Sequence, residues 1–239
     1  MSKILLKNAR IINEQEILER DVLINGSYIE QLGPAISDAN ARVIDIEGSY
    51  LLPGIIDDQV HFREPGLTHK GNIATESRAA LAGGITSFME QPNTKPQTTT
   101  IEALEDKFQR AKDTSYANYS FLFGGTNTNL EELKRLDKLA CSGVKLFLGS
   151  STGNMLVDDE QVLEEIFKNT DMVISAHCED EATIRKNLAE HIERYGDEIP
   201  MEYHPVIRSS EACFLSSSKA IALAEKTGAR LHVFHVSTA

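Results

Sequence analysis

The sequence predicts an α/β fold in which a small β-segment precedes about six βα units of an eight-stranded parallel barrel. Three observations carry this. Short β-rich segments fill the first part of the chain, strand and helix then alternate to the end, and polar residues gather where the later strands finish. The 239 residues are enough for one large domain or two small ones.

Taken in order, residues 3–12, 22–24, 28–32 and 43–46 are rich in apolar and β-branched residues and are separated by Asn-Gly, Gly-Pro and Glu-Gly turn signals. They mark residues 1–53 as part of a small β-domain, expected as a β-sandwich segment that ends at Pro53-Gly54. Over residues 54–239 the candidate strands are 54–62, 84–91, 119–124, 143–148, 172–177 and 230–236. Helix-like segments lie at 99–111, 130–139, 158–168, 180–195 and 211–226, and the stretch holding Pro200 and Pro205 reads as an irregular loop. Such alternation means a parallel sheet, either doubly wound or closed into a barrel.

The polar residues choose between the two. His61, Asn93, Lys145, His177 and His235 fall at or near the C-terminal ends of different strands. A (β/α)8 barrel collects its catalytic groups there. A doubly wound sheet gathers its ligand at one switch point, often behind a Gly-rich loop, and no such loop follows the strand at 54–62. Six strands precede Ala239 where a barrel needs eight. The expectation is therefore a fragment of a longer protein, and residues 1–239 alone are not expected to form a stable, active enzyme.

Composition narrows the function. With 41% hydrophobic and 25% charged residues the chain has the make-up of a soluble globular protein, not of a disordered or fibrous one. The net charge of −12 argues against nucleic acid, whose phosphates need a basic surface. No apolar run approaches the roughly 18 residues of a membrane span, and the N-terminal apolar stretch is too short for a signal peptide, so the cytoplasm is the default. The three cysteines, Cys141, Cys178 and Cys213, are odd in number and widely spaced, as free thiols in a reducing compartment would be.

The chemistry begins at residues 57–63, Asp-Asp-Gln-Val-His-Phe-Arg. Strand alternation puts Asp57, Gln59, His61 and Arg63 on one face, and Val60 and Phe62 on the other, toward covering helices. A polar inner row suits the mouth of a barrel; the plainer alternative is an exposed edge strand. Lys145 lies in a strand that should be buried, where an ammonium is costly unless paired or neutralised. Burial alone favours a lysine paired with an acidic neighbour. A lowered pKa also leaves a neutral amine that can add carbon dioxide, giving a carbamate able to bridge two metal ions. His177 closes an apolar strand just ahead of Glu179-Asp180. Alternation places His235 with Leu231 and Val233 and His232 opposite, so at most one of the two histidines faces the site. One strand-end histidine is usually a packing residue; three on separate strands beside a buried lysine form a candidate zinc site of nitrogen and oxygen donors. Cys178 should face away as a buried thiol, and nothing ties His69, His191 or His204 to the site.

Residues 53–66, Pro-Gly-Ile-Ile-Asp-Asp-Gln-Val-His-Phe-Arg-Glu-Pro-Gly, resemble the first-strand signature of dihydroorotases, cyclic amidohydrolases of the amidohydrolase superfamily. Gly83-Gly84-Ile85-Thr86 followed by Gln91-Pro92-Asn93-Thr94 resembles the second-strand signature, and Lys145, His177 and His235 match the family's carbamylated lysine and two metal-binding histidines. The resemblance runs along the whole chain. It implies a barrel of the metal-dependent hydrolase kind, with His61, Lys145 as its carbamate, His177 and His235 as metal ligands, His61 and Lys145 thereby serving catalysis. Arg63 and Asn93 would hold the substrate carboxylate, and Asp57 would orient a ligand. The general base, an aspartate on the eighth strand, would lie beyond residue 239.

The implied reaction is the reversible, metal-dependent hydrolysis of dihydroorotate to carbamoyl aspartate in pyrimidine biosynthesis, with these small molecules as partners and a homo-oligomer expected. The family usually carries His-x-His on the first strand; here the first member is Gln59, a far poorer zinc ligand. One well-held zinc is therefore expected, and a second that is weak or absent. Two alternatives stand beside this reading. One is another cyclic amide hydrolase acting on hydantoin, dihydropyrimidine or allantoin, against which Arg63 and Asn93 argue. The other is a non-catalytic dihydroorotase-like structural partner, which Gln59 favours.

Overall fold

The computed structural model describes residues 3–149 and 153–238. Met1 and Ser2 of the expected β-segment, and Ala239 at the end of the expected barrel segment, lie outside them. The chain divides into two units, Met1–Ile55 and Ile56–Ala239.

The first unit grows from a hairpin that its sequence conceals. Strands β1 (Lys3–Asn13) and β2 (Glu16–Asn25) pair antiparallel, with Asn13 opposite Glu16. The two residues between them, Glu14 and Gln15, have φ of 48° and 69°. A two-residue hairpin turn needs that left-handed geometry, which is usually supplied by Asn or Gly. With neither present, residues 16–21 give no strand signal, and β2 begins six residues earlier than expected. Strands β3 (Tyr28–Gly33), β4 (Ala41–Asp45) and β5 (Tyr50–Leu51) complete one mixed sheet ordered β3-β2-β1-β4, with β5 also on β1. This sheet is the form the expected β-segment takes. Leu5, Leu23 and Ile36 make its small core. Asp21, only 3% exposed, ties it together. Its carboxylate accepts the Asn8 and Ile36 amides at 3.0 Å each and pairs with Lys7 at 2.9 Å.

In the second unit β6 (Ile55–Val60), β7 (Ile85–Glu90), β8 (Asn118–Gly124), β9 (Gly143–Phe147), β10 (Ile174–His177) and β11 (Leu231–Val233) form one sheet in the order β11-β10-β9-β8-β7-β6. Unbroken sequential order is that of a βα-barrel; a doubly wound sheet would reverse at its switch point. Between the strands lie α1 (Ile73–Ala82), α2 (Ile101–Thr114), α3 (Leu130–Arg135), α4 (Glu160–Lys168), α5 (Glu181–Tyr195), α6 (His204–Ile207) and α7 (Ser210–Thr227). Phe88, Phe121, Phe123, Val144, Leu146, Ile166, Phe167 and Ile174 dominate the core.

Three local readings change. Helix α1 was not expected: it buries little besides Ile73 and so has no apolar stripe, but Asn72 and Thr75 close a capping box at its start. The irregular stretch contains the short helix α6, with Pro205 in its first turn, where a missing N–H costs nothing. Strand β11 ends at Val233 rather than 236.

Candidate active site

Paired residues of a parallel sheet share a face. Lys145, Ser175 and His232 are in register across β9, β10 and β11, and Phe147 pairs with His177 two residues on. These residues therefore line one side of the sheet. The other side carries Val144, Leu146, Ile174 and Ala176, all fully buried. Alternation would send His235 to that second side with Leu231 and Val233. Because β11 has already ended, His235 takes φ 37° and turns back, its Nε2 3.0 Å from His177 Nδ1. His232 and His235 thus both lie on the Lys145 side, which corrects the expectation that at most one could. His232 Nε2 reaches to 3.8 Å from Asp58 Oδ2, so the edge strands β11 and β6 approach each other.

Lys145 is 1% exposed and its Nζ has no hydrogen-bond partner among the described residues. The rings of Phe147 and Phe234 face it at 4.5 and 4.7 Å. Burial pushes its pKa down to about 7. Among the described residues no acidic side chain pairs with it, as a structural lysine would require.

Glu179 was noted in the sequence only as an acidic neighbour, yet it organises the histidine pair. It lies 2.6 Å from His177 Nε2 and accepts Arg208 Nε at 2.8 Å and Arg208 Nη2 more closely. Burial alone would raise its pKa; the hydrogen bonds and charges of His177 and Arg208 outweigh that and hold it at about 2. As a carboxylate it accepts from His177 Nε2–H, which leaves the Nδ1 lone pair facing His235. These residues line a cavity of about 400 Å³ together with His204 and Ser209. His204, read as unconnected, therefore belongs to the site's wall. A larger cavity of about 910 Å³ runs along residues 93–106 and includes only Asn93 of the expected set. Of the two, the smaller is the one that the histidine pair lines.

At the other rim β6 stops at Val60, and Phe62 is buried against Phe88 at 4.5 Å between ring centres. His61 Nδ1 is 2.9 Å from Asn93 Oδ1. With the amide oxygen accepting, the His61 Nε2 lone pair is left free. Burial first, then the nearby Arg63 charge, lowers the His61 pKa to about 4, and Lys145 and His235 also act on it. Asn93 thus contacts His61 through its amide oxygen. Arg63 departs from strand geometry with φ 73°, and its guanidinium has no hydrogen-bond or ion-pair partner among the described residues. Asp57 accepts the Gln59 amide at 3.0 Å. Cys178 is buried, its thiol pushed up to about 11 by burial.

Among the described residues no group of three or more His, Cys, Asp and Glu side chains is close enough to hold a metal ion. The nitrogen pair His177–His235 is a partial site. Two imidazoles on one tetrahedral zinc stand about 3.3 Å apart by the usual bond lengths, close to the 3.0 Å seen. Lys145, on the same side of the sheet and without a hydrogen-bond partner among the described residues, would supply an oxygen donor if it were a carbamate. The donor set fits a cation on that condition.

Sheet order and site define an α/β barrel of the amidohydrolase type. The chain belongs to the dihydroorotase-like family: the family described as Dihydro-orotase-like matches residues 48–239. A dihydroorotase of Methanosarcina mazei is 35% identical over all of this chain and 52% of its own length. An allantoinase of Deinococcus radiodurans is 31% identical over 98% of this chain and 53% of its own. Among solved structures, the L-hydantoinase (dihydropyrimidinase) from Arthrobacter aurescens superposes with a TM-score of 0.93 at 28% identity, over 99% of this chain and 53% of that one. The chain spans about half the length of the relatives it matches. No helix among the described residues is long and apolar enough to cross a membrane.

Proposed function

We propose that this chain supplies the metal-holding and substrate-holding part of a dihydroorotase, which opens dihydroorotate to carbamoyl aspartate and closes it again in pyrimidine synthesis. The observation that carries the reading is Lys145: a buried amine with no hydrogen-bond partner among the described residues, beside two histidines whose nitrogens converge. His61, Lys145 as its carbamate, His177 and His235 would hold zinc, firmly at one position and weakly or not at all where Gln59 replaces histidine. When bound, the metal acidifies water and polarises the amide carbonyl.

The remaining work falls to the chain's own side chains. Arg63, left free, offers a planar fork to the substrate carboxylate, with Asn93 beside it. Glu179 and Arg208 hold the His177 ring in one orientation and one tautomer. Asp57 steadies the backbone at Gln59. The proton that the ring nitrogen needs on opening would come from the aspartate expected beyond residue 239. A cytoplasmic homo-oligomer is part of the same proposal.

The allantoinase and hydantoinase relatives favour a second reading, a cyclic amide hydrolase for substrates without this carboxylate. The test is ring opening by the metal-loaded, full-length protein with dihydroorotate, hydantoin and allantoin in parallel. Turnover of dihydroorotate alone is expected. Turnover of hydantoin or allantoin instead would transfer the assignment to that second reading. No turnover of any, despite bound metal, would point to a non-catalytic partner and make Gln59 the lesion.

A further inference from the structure

Behind Arg63 lies an ion pair that the chemistry above does not use. Glu90, the last residue of β7, and Lys107, in the middle of α2, are both fully buried. Glu90 Oε2 is 2.8 Å from Lys107 Nζ, which also donates to the Gln91 carbonyl at 3.1 Å and faces the Phe121 ring at 5.0 Å. Burial pushes the carboxyl up and the ammonium down, each toward neutrality, while their mutual attraction opposes both shifts. A buried pair of this kind adds little net stability over well-packed apolar residues, so its presence asks for another reason.

The second oxygen supplies one. Glu90 Oε1 accepts the backbone N–H of Arg63 at 2.9 Å. Arg63 is a non-glycine residue at φ 73°, a conformation that must be held by its surroundings. Further contacts fasten the same loop, among them the Ile73 amide, which donates to Glu64 Oε2 at 2.9 Å. The Leu67 amide donates to the Arg63 carbonyl at 3.1 Å, and the Lys95 amide donates to the Pro65 carbonyl at 3.1 Å. At Gly66, φ 79°, a Cβ would collide with the Lys95 backbone. Of these contacts, the one from Glu90 reaches the Arg63 amide itself.

We propose that Glu90, braced by Lys107, is a positioning residue that fixes the left-handed turn at Arg63 and so aims its guanidinium at the substrate carboxylate. The proposal rests on the reading of Arg63 as the carboxylate holder. Lys107 sets the carboxyl plane of Glu90 from α2; Glu90 passes that position to the Arg63 backbone; the side chain leaves the turn toward the site.

Two charge-free double variants of the metal-loaded, full-length protein test it. Glu90→Gln with Lys107→Met keeps an acceptor for the Arg63 amide, whereas Glu90→Met with Lys107→Met has almost the same shape and none. The first is expected to keep the parental KM for dihydroorotate. The second should raise KM roughly tenfold or more at nearly unchanged kcat, the loss of a contact to a charged group. Calorimetric binding of carbamoyl aspartate should weaken in parallel. Equal KM in the two double variants would overturn the proposal, because loss of the ion pair as a purely structural element affects both alike. In an Arg63→Ala background the difference between them should vanish; its persistence would also overturn the proposal. Arg63→Ala with an unchanged KM would sink the carboxylate reading itself, a result separate from equal KM under an effective Arg63. Should the acceptor-free variant not fold, hydrogen exchange at the Arg63 amide of the parent decides: protection is expected, and exchange at the rate of an open loop contradicts the brace.

Discussion

Replacing Lys145 with methionine should make the metal-free protein more stable while removing its activity. The size of the effect follows from where Nζ lies. It is buried, without a hydrogen-bond partner among the described residues, and its pKa falls from 10.5 to about 7. A shift of that size corresponds to about 5 kcal/mol at 1.36 kcal/mol per unit. The Phe147 and Phe234 rings return part of it, about 1–2 kcal/mol for a desolvated cation over aromatic faces. A net gain of about 2–4 kcal/mol is therefore expected at about pH 7, since methionine fills a similar volume without the charge. The sign with pH is fixed by the direction of the shift. Between about pH 7 and 10.5 the folded lysine is neutral while the unfolded one is still protonated, so the parent gains stability as pH rises. The Lys145→Met protein has no such term, and its advantage should shrink toward nothing near pH 10. Urea unfolding of metal-free, carbon-dioxide-free full-length protein at about pH 7 and about pH 9.5 measures both quantities. A variant less stable than the parent at the lower pH, or a gap equal at both, would refute the reasoning. Either would mean that the ammonium has a partner.

Three further outcomes are expected. Asp21→Ala leaves the Asn8 and Ile36 amides without their acceptor and takes the carboxylate from Lys7, which keeps the Ile36 carbonyl, and should cost about 2–3 kcal/mol in denaturant unfolding. In the parent, whose Asp21 is held at about 2 by the Ile36 amide and Lys7, this contribution should be present above about pH 4 and fade as pH falls toward 2; a pH-independent difference would contradict it. His61 in the metal-free protein should titrate near pH 4 by NMR of its ring, its charged form being penalised by burial, so that stability is lost between about pH 6.5 and 4; a midpoint at or above 6 would show that the ring is solvated. Gln59→His should raise the metal content of the protein from about one toward two ions per chain by elemental analysis, and unchanged stoichiometry would separate Gln59 from metal binding.

Much of this was legible because burial leaves a periodic mark. Strands such as β8 and β9 announce themselves as apolar runs, and the polar residues near the strand ends stand out against them. Lys145 is conspicuous because lysine is a poor choice for such a strand. Elsewhere the same method failed for local reasons. Helix α1 has too few large apolar residues to show a stripe, and the Glu14–Gln15 turn reaches left-handed geometry without Asn or Gly. The period-two rule also misplaced His235, since it holds only while the strand lasts.

By itself, then, the sequence determined the order of the six parallel strands, the buried lysine and the set of histidines from which a metal site could be drawn. Each of these is written in spacing along the chain. Only the tertiary structure decided which polar groups answer one another. Glu90 and Lys107 sit 17 residues apart on a strand and a helix, and Glu179 and Arg208 are separated by 29. Lys107 falls on the buried stripe of α2 with Leu104 and Ala111, a signal of burial that does not name its partner. Local periodicity reports whether a side chain is inside; the identity of a hydrogen-bond partner depends on how distant segments pack, and that is settled when the sheet curls.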